Sequence, residues 1–145
     1  MKLHTEKLKV GIDIHGVIDR YPNEFAEFCE QAIDHGHEIH IVTGRESEIV
    51  APKLSRFCIP YTHLFSIVDY HRENGTKMWN DDARGAGWWM EREDWVKSKG
   101  LYCKLVHLDL HFDNELPYAE HFPDYCTFVV VPPNGFNKIL PFFQI

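Results

Sequence analysis

Apolar runs recur along this chain, and between them the apolar spacing changes from every second residue to every third or fourth. Leu8, Val10, Ile12 and Ile14 alternate with Lys9, Gly11 and Asp13, and further strand-like runs follow at Glu38–Thr43, Leu64–Val68, Leu108–Phe112 and Cys126–Val131. After the first run, Pro22 opens a helical stretch in which Phe25, Phe28, Cys29, Ala32 and Ile33 share a face, and Gly36 closes it. Glu46–Phe57 has helical spacing at Ile49, Val50 and Leu54, with Pro52 either starting the regular part or kinking it. A helix is expected over Trp95–Val106, with Gly100 as its weak point, and a short one from Pro117 through Phe122. A strand, a short helical connection and another strand pack back only as a right-handed parallel crossover, so the reading is an α/β fold with parallel strands. The segment from Asp69 to Glu93, rich in Gly, Asn, Asp and aromatic residues, reads as a loop or small insertion. Its Trp79, Trp88 and Trp89 are expected to shield the edge of the core, the other reading being a cover over an active-site mouth.

With 145 residues and 44% hydrophobic content, the chain can bury one sizeable core, so residues 1–145 are read as one domain with an insertion at about 69–93. Fifteen Lys plus Arg against twenty-two Asp plus Glu give a formal charge of −7, which disfavours strong binding to duplex nucleic acid. No apolar run approaches a membrane span and the first ten residues lack the apolar centre of a signal peptide, so a cytoplasmic protein with no membrane partner is expected. Cys29, Cys58, Cys103 and Cys126 have no metal-ligand or redox spacing and read as reduced thiols. The apolar tail, with Phe136, Ile139, Leu140, Phe142, Phe143 and Ile145, is expected to pack on its own domain, a homodimer contact being the alternative.

Chemistry concentrates where strands end. Asp13 follows the first run, Thr43-Gly44-Arg45 closes the second, and Asp113-Asn114-Glu115 follows the fourth. If the strands are parallel, all three lie on the carboxyl edge of the sheet, where strand ends and helix starts leave a crevice for ligands. Asp13 and Asp113 would hold a hard cation, and an all-oxygen set suits Mg2+. Thr43 can hydrogen-bond a phosphoryl oxygen, and Lys99, on the helix before the fourth run, can neutralise the charge that remains. A small phosphorylated molecule is therefore the expected substrate.

These residues, taken in order as Asp13-Ile-His-Gly-Val, Ile-Val-Thr43-Gly, Lys99 and His-Phe-Asp113-Asn-Glu115, resemble the four motifs of the haloacid dehalogenase superfamily over about residues 8–131. The resemblance implies a Rossmann-like three-layer sandwich around a central, mostly parallel five-stranded sheet, without a large cap. It also implies bound Mg2+, Asp13 as a nucleophile that forms an aspartyl-phosphate, and Thr43 and Lys99 holding the phosphoryl group. Gly44 and Arg45 are further substrate-binding candidates. The metal candidates are Asp13, the His15 carbonyl, Asp113 and Asn114.

One position departs from the family pattern. Phosphatases of this kind usually carry an Asp two residues after the nucleophile as general acid and base, and here that residue is His15. An imidazole can serve both roles near neutral pH. The expected activity is thus a phosphatase or nucleotidase; the alternative is a phosphate or nucleotide-binding module impaired by loss of the acid. Asp19 is read as a turn or helix cap, and His111 as packed just below the site and not a ligand.

Overall fold

The computed structural model describes residues 6–81 and 87–145. Its centre is a five-stranded sheet in the order β3-β2-β1-β6-β7, in which every pairing is parallel. The strands are β1 (Lys9–Ile12), β2 (Glu38–Thr43), β3 (His63–Ser66), β6 (Leu110–Asp113) and β7 (Thr127–Val130). The remaining pair, β4 (Met78–Asn80) and β5 (Trp88–Met90), forms a separate antiparallel hairpin. This is the parallel α/β sheet expected from the alternation of periods, and it is consistent with the Rossmann-like architecture that the resemblance implied.

Helices cover both faces. Helix α1 (Pro22–Asp34) and helix α2 (Ser47–Arg56) pack on one side, where Phe25, Phe28, Val50 and Leu54 meet Val10, Ile12, Ile39, Ile41 and Phe112. The tail returns to this same core: Phe136 and Leu140 are buried, and Phe143 lies 5.3 Å from Phe112 between ring centroids. Intrachain packing therefore accounts for most of the apolar tail. Helix α4 (Arg92–Val106) lies on the other side, where Cys103 packs with Val42, Leu108 and Cys126. Among the described residues no helix is long and apolar enough to cross a membrane.

The third strand is shorter than its apolar run. Ile67 and Val68, read as strand, begin helix α3 (Ile67–Glu73) because the Ser66 hydroxyl accepts a hydrogen bond from the Asp69 amide at 3.1 Å and caps it. β-branched residues alone do not reveal such a switch. The supposedly irregular stretch 69–93 thus contains most of α3, the β4–β5 hairpin and the start of α4; its residues 82–86 lie outside the described ones. Pro52 sits inside α2 without ending it.

Gly100, taken from the sequence as a weak point of α4, is instead a contact. A Cβ there would overlap the carbonyl of His121, at the end of the 3-10 turn Leu116–His121 that lies across α4. Overpacking of this kind typically costs about 1–3 kcal/mol. Gly100→Ala is expected to lower the urea midpoint accordingly, although alanine is the better helix former; an unchanged or raised midpoint would show that the turn yields freely.

Candidate active site

The chain runs from β1 to β2 on one side of the central strand and returns through β6 on the other, so the carboxyl ends of β1 and β6 flank a topological switch point. Asp13 stands there, its amide donating to the Phe112 carbonyl at 3.0 Å as the last rung of the β1–β6 ladder. The following turn, residues 14–18, needs a left-handed residue, and Gly16 supplies it at φ 78°. A side chain at Gly16 would also displace the Asn114 carboxamide. Asp19 closes the turn by accepting from the Gly16 amide at 2.7 Å, the capping role expected of it.

Asp13, Thr43, Lys99 and Asp113 are brought together and all are buried. The Lys99 ammonium lies 2.7 Å from Asp113 Oδ2 and 3.1 Å from Asp13 Oδ1. It also stands 4.6 Å from the centre of the Tyr118 ring. Asp113 is held from two further directions: His111 Nε2 is 3.0 Å from Oδ2, and the Glu115 amide donates to Oδ1 at 3.0 Å. His111 is therefore below the site, as expected, but it contacts the carboxylate directly.

Two carboxylates share one ammonium, which leaves one negative charge uncompensated. Burial pushes the Asp13 carboxyl up to about 7, with Asp113 adding to the rise and Lys99 opposing it. Burial alone would raise Asp113 too, but Lys99 and His111 outweigh it and hold this carboxyl at about 2. For Lys99, burial works against the charge, and the two carboxylates overcome it, so the ammonium stays protonated beyond its ordinary range.

The oxygens around Asp13 fit a small hard cation. One end of the Asn114 carboxamide lies 3.2 Å from Asp13 Oδ2 and 3.0 Å from the His15 carbonyl oxygen. With its NH2 turned that way, the amide donates to both. With its oxygen turned that way, the amide could instead join Asp13 Oδ2 and the His15 carbonyl as an oxygen ligand of a small hard cation. Asp113 Oδ2 accepts from Lys99 and His111, and Oδ1 accepts from the Glu115 amide, which leaves Oδ1 a lone pair for the expected cation. The same carboxylate positions Lys99. A second grouping of potential ligands, Glu38, His40 and His63, lies elsewhere in the sheet. There the two imidazoles stack nearly parallel with centroids 4.2 Å apart, so one ion cannot lie in both ring planes.

A cavity of about 500 Å3 opens over these groups. Asp13, His15, Thr43, Gly44, Arg45, Lys99 and Asn114, all singled out from the sequence, border it, while Asp113 lies beneath. The His15 side chain is 93% exposed, with Nδ1 3.4 Å from Asp19 Oδ2, and stands between this cavity and a neighbouring one bordered by Arg20 and Pro133. Trp88 and Trp89 border the cavity, in addition to any core-edge role expected for them, whereas Trp79 does not. Trp95 and Tyr118 were not foreseen as site residues; they join it because the Trp95 indole NH donates to the Tyr118 hydroxyl at 2.8 Å across two elements. Nothing in the local spacing of either residue signals that pairing. Compared with known proteins, the chain matches no family model, no curated protein and no solved structure.

Proposed function

We propose that the protein is a Mg2+-dependent phosphoric monoester hydrolase of the haloacid dehalogenase type. The observation that carries this reading is the pairing of Asp13 at the end of the central strand. Its Oδ1 faces a buried ammonium, and its Oδ2 faces the Asn114 carboxamide, which also reaches the His15 carbonyl. Mg2+ held by Asp13 Oδ2, the His15 carbonyl and Asn114 would supply positive charge to the phosphoryl oxygens and to the ionised form of Asp13.

Asp13 Oδ1 then attacks phosphorus, the bond from phosphorus to the ester oxygen breaks, and an aspartyl-phosphate forms. Lys99 and the Thr43 hydroxyl offer donors to the phosphoryl oxygens as charge shifts onto them. The His15 imidazolium gives its proton to the departing alkoxide, and the neutral imidazole then takes a proton from the water that hydrolyses the aspartyl-phosphate. Phosphate leaves and Asp13 is restored. Asp19 Oδ2 lies 3.4 Å from His15 Nδ1, which leaves Nε2 for the exchange.

A second reading, a phosphate-binding module with no turnover, is favoured by one observation: the imidazole of His15 is turned largely to solvent. Paired esters separate the two. His15→Ala is expected to slow hydrolysis of an alkyl phosphate by about a hundredfold or more, because its alkoxide needs the proton, while largely sparing aspartyl-phosphate formation from an aryl phosphate. His15→Asp should hold or raise alkyl turnover. Equal losses on both esters would make His15 a positioning residue. Absence of phosphate release from either ester by the wild type, with Mg2+ and phosphate still bound, would favour the binding module.

A further inference from the structure

Part of the cavity lining is charged and part is aromatic. The aromatic part is formed by Trp88 and Trp89 of β5 and Trp95 of α4, with Ile49 and Val50 of α2 also bordering the space. Trp89 and Ile49 leave large apolar surfaces in water, at 40% and 49% exposure, next to a site that already contains three buried charged groups. The sheet core does not account for them, since neither belongs to its buried clusters.

The aromatic wall is also built rigidly. The Trp95 ring lies against the backbone at Gly44, where a Cβ would overlap it, and its NH is held by Tyr118. Trp89 lies against Trp95 with ring centroids 5.9 Å apart. Trp88 is backed by the Arg72 guanidinium, 5.0 Å from its ring centre. At the rim, the Arg45 guanidinium lies beside Gly87, at the entry to β5, and Glu46. An alkyl phosphate seated on Asp13 and Lys99 would leave these indoles in water. A flat ring carried by the ester's alcohol would bury them.

We infer that the substrate is a monophosphate ester whose alcohol bears a planar ring of nucleobase size, a nucleoside monophosphate, stacked on the Trp89 and Trp95 indoles. The inference starts from the reading of the charged end as a phosphate site. A volume of about 500 Å3 lies in the range of small-molecule sites and exceeds what a single phenyl ring needs. The charge of −7 disfavours a polynucleotide and leaves a single nucleotide, whose one phosphate needs the Lys99 ammonium, the Arg45 guanidinium and the cation of the proposed site. Stacking of one base on aromatic side chains corresponds to roughly ten- to hundredfold in affinity.

Titration of tryptophan fluorescence tests this with adenosine 5′-monophosphate, ribose 5-phosphate and phosphotyrosine, in the Asp13→Asn protein so that no ligand is consumed. The nucleotide is expected to bind at least about tenfold more tightly than ribose 5-phosphate, with phosphotyrosine between them. Adding Trp89→Ala should remove most of that ratio by weakening the nucleotide alone, and Trp89→Phe should restore much of it. Equal affinity for nucleotide and sugar phosphate, no binding of either, or an equal loss on both in Trp89→Ala would overturn the inference. Phosphate release by the wild type keeps its failure apart from that of the hydrolase reading. Equal kcat/KM on the nucleotide and ribose 5-phosphate overturns the aromatic preference alone. Release from neither, with the affinity ratio intact, overturns hydrolysis and supports the nucleotide site.

Discussion

Asp13→Asn is expected to reduce phosphate release to background and, without divalent cation, to melt roughly 10 °C or more above the wild type at pH 7.5. The first effect follows because an amide cannot attack phosphorus. The second follows from the charge that Lys99 cannot neutralise. Burial raises the Asp13 carboxyl from 3.8 to about 7, so between those values the folded chain retains a proton that the unfolded chain has released. Stability contributed by that proton is complete below about pH 4 and is lost as pH rises through 7, a difference of about 4 kcal/mol. Asparagine keeps the shape and removes the titration. Thermal melts at pH 4.5 and 7.5 check this: the gap should nearly vanish at the lower pH, and saturating Mg2+ should narrow it at the higher one by raising the wild type. Coincident melting curves at pH 7.5 without metal would mean that Asp13 ionises in the fold without strain.

Lys99→Met is expected to be the most destabilising single change at the site. The ammonium is the shared partner of two buried carboxylates, and removing one member of a buried ionic group typically costs about 3–5 kcal/mol because the remaining charges are left unpaired. Urea denaturation should show the loss in full at pH 7.5. At pH 5 the cost should be smaller, since one carboxyl can then take a proton and share it with the other. A wild-type midpoint at both values would show that water reaches Asp13 and Asp113 far more freely than their burial suggests. Turnover should fall as well, because the same ammonium faces the attacking oxygen.

The positions of Asp13, Thr43, Lys99 and Asp113 were legible in the sequence for a local reason. Asp13, Thr43 and Asp113 lie at or just beyond the ends of strands whose apolar period is short-range, and parallel strands must bring such ends to one edge, whereas Lys99 lies midway along α4 and was placed by the helix that precedes β6. The helix over α4 was legible in the same way, though its start was placed three residues late. Tertiary structure decided the rest. That Asp113 accepts from His111, Lys99 and the Glu115 amide, while the Asn114 carboxamide reaches Asp13 and the His15 carbonyl, depends on how α4 packs over β6. That Trp88, Trp89 and Trp95 face the site depends on a hairpin and a helix meeting beside Gly44, contacts between segments far apart in the chain. Periodicity tells a residue which face of its own element it occupies; what lies opposite that face is set by the strand order β3-β2-β1-β6-β7, which only the assembled sheet defines.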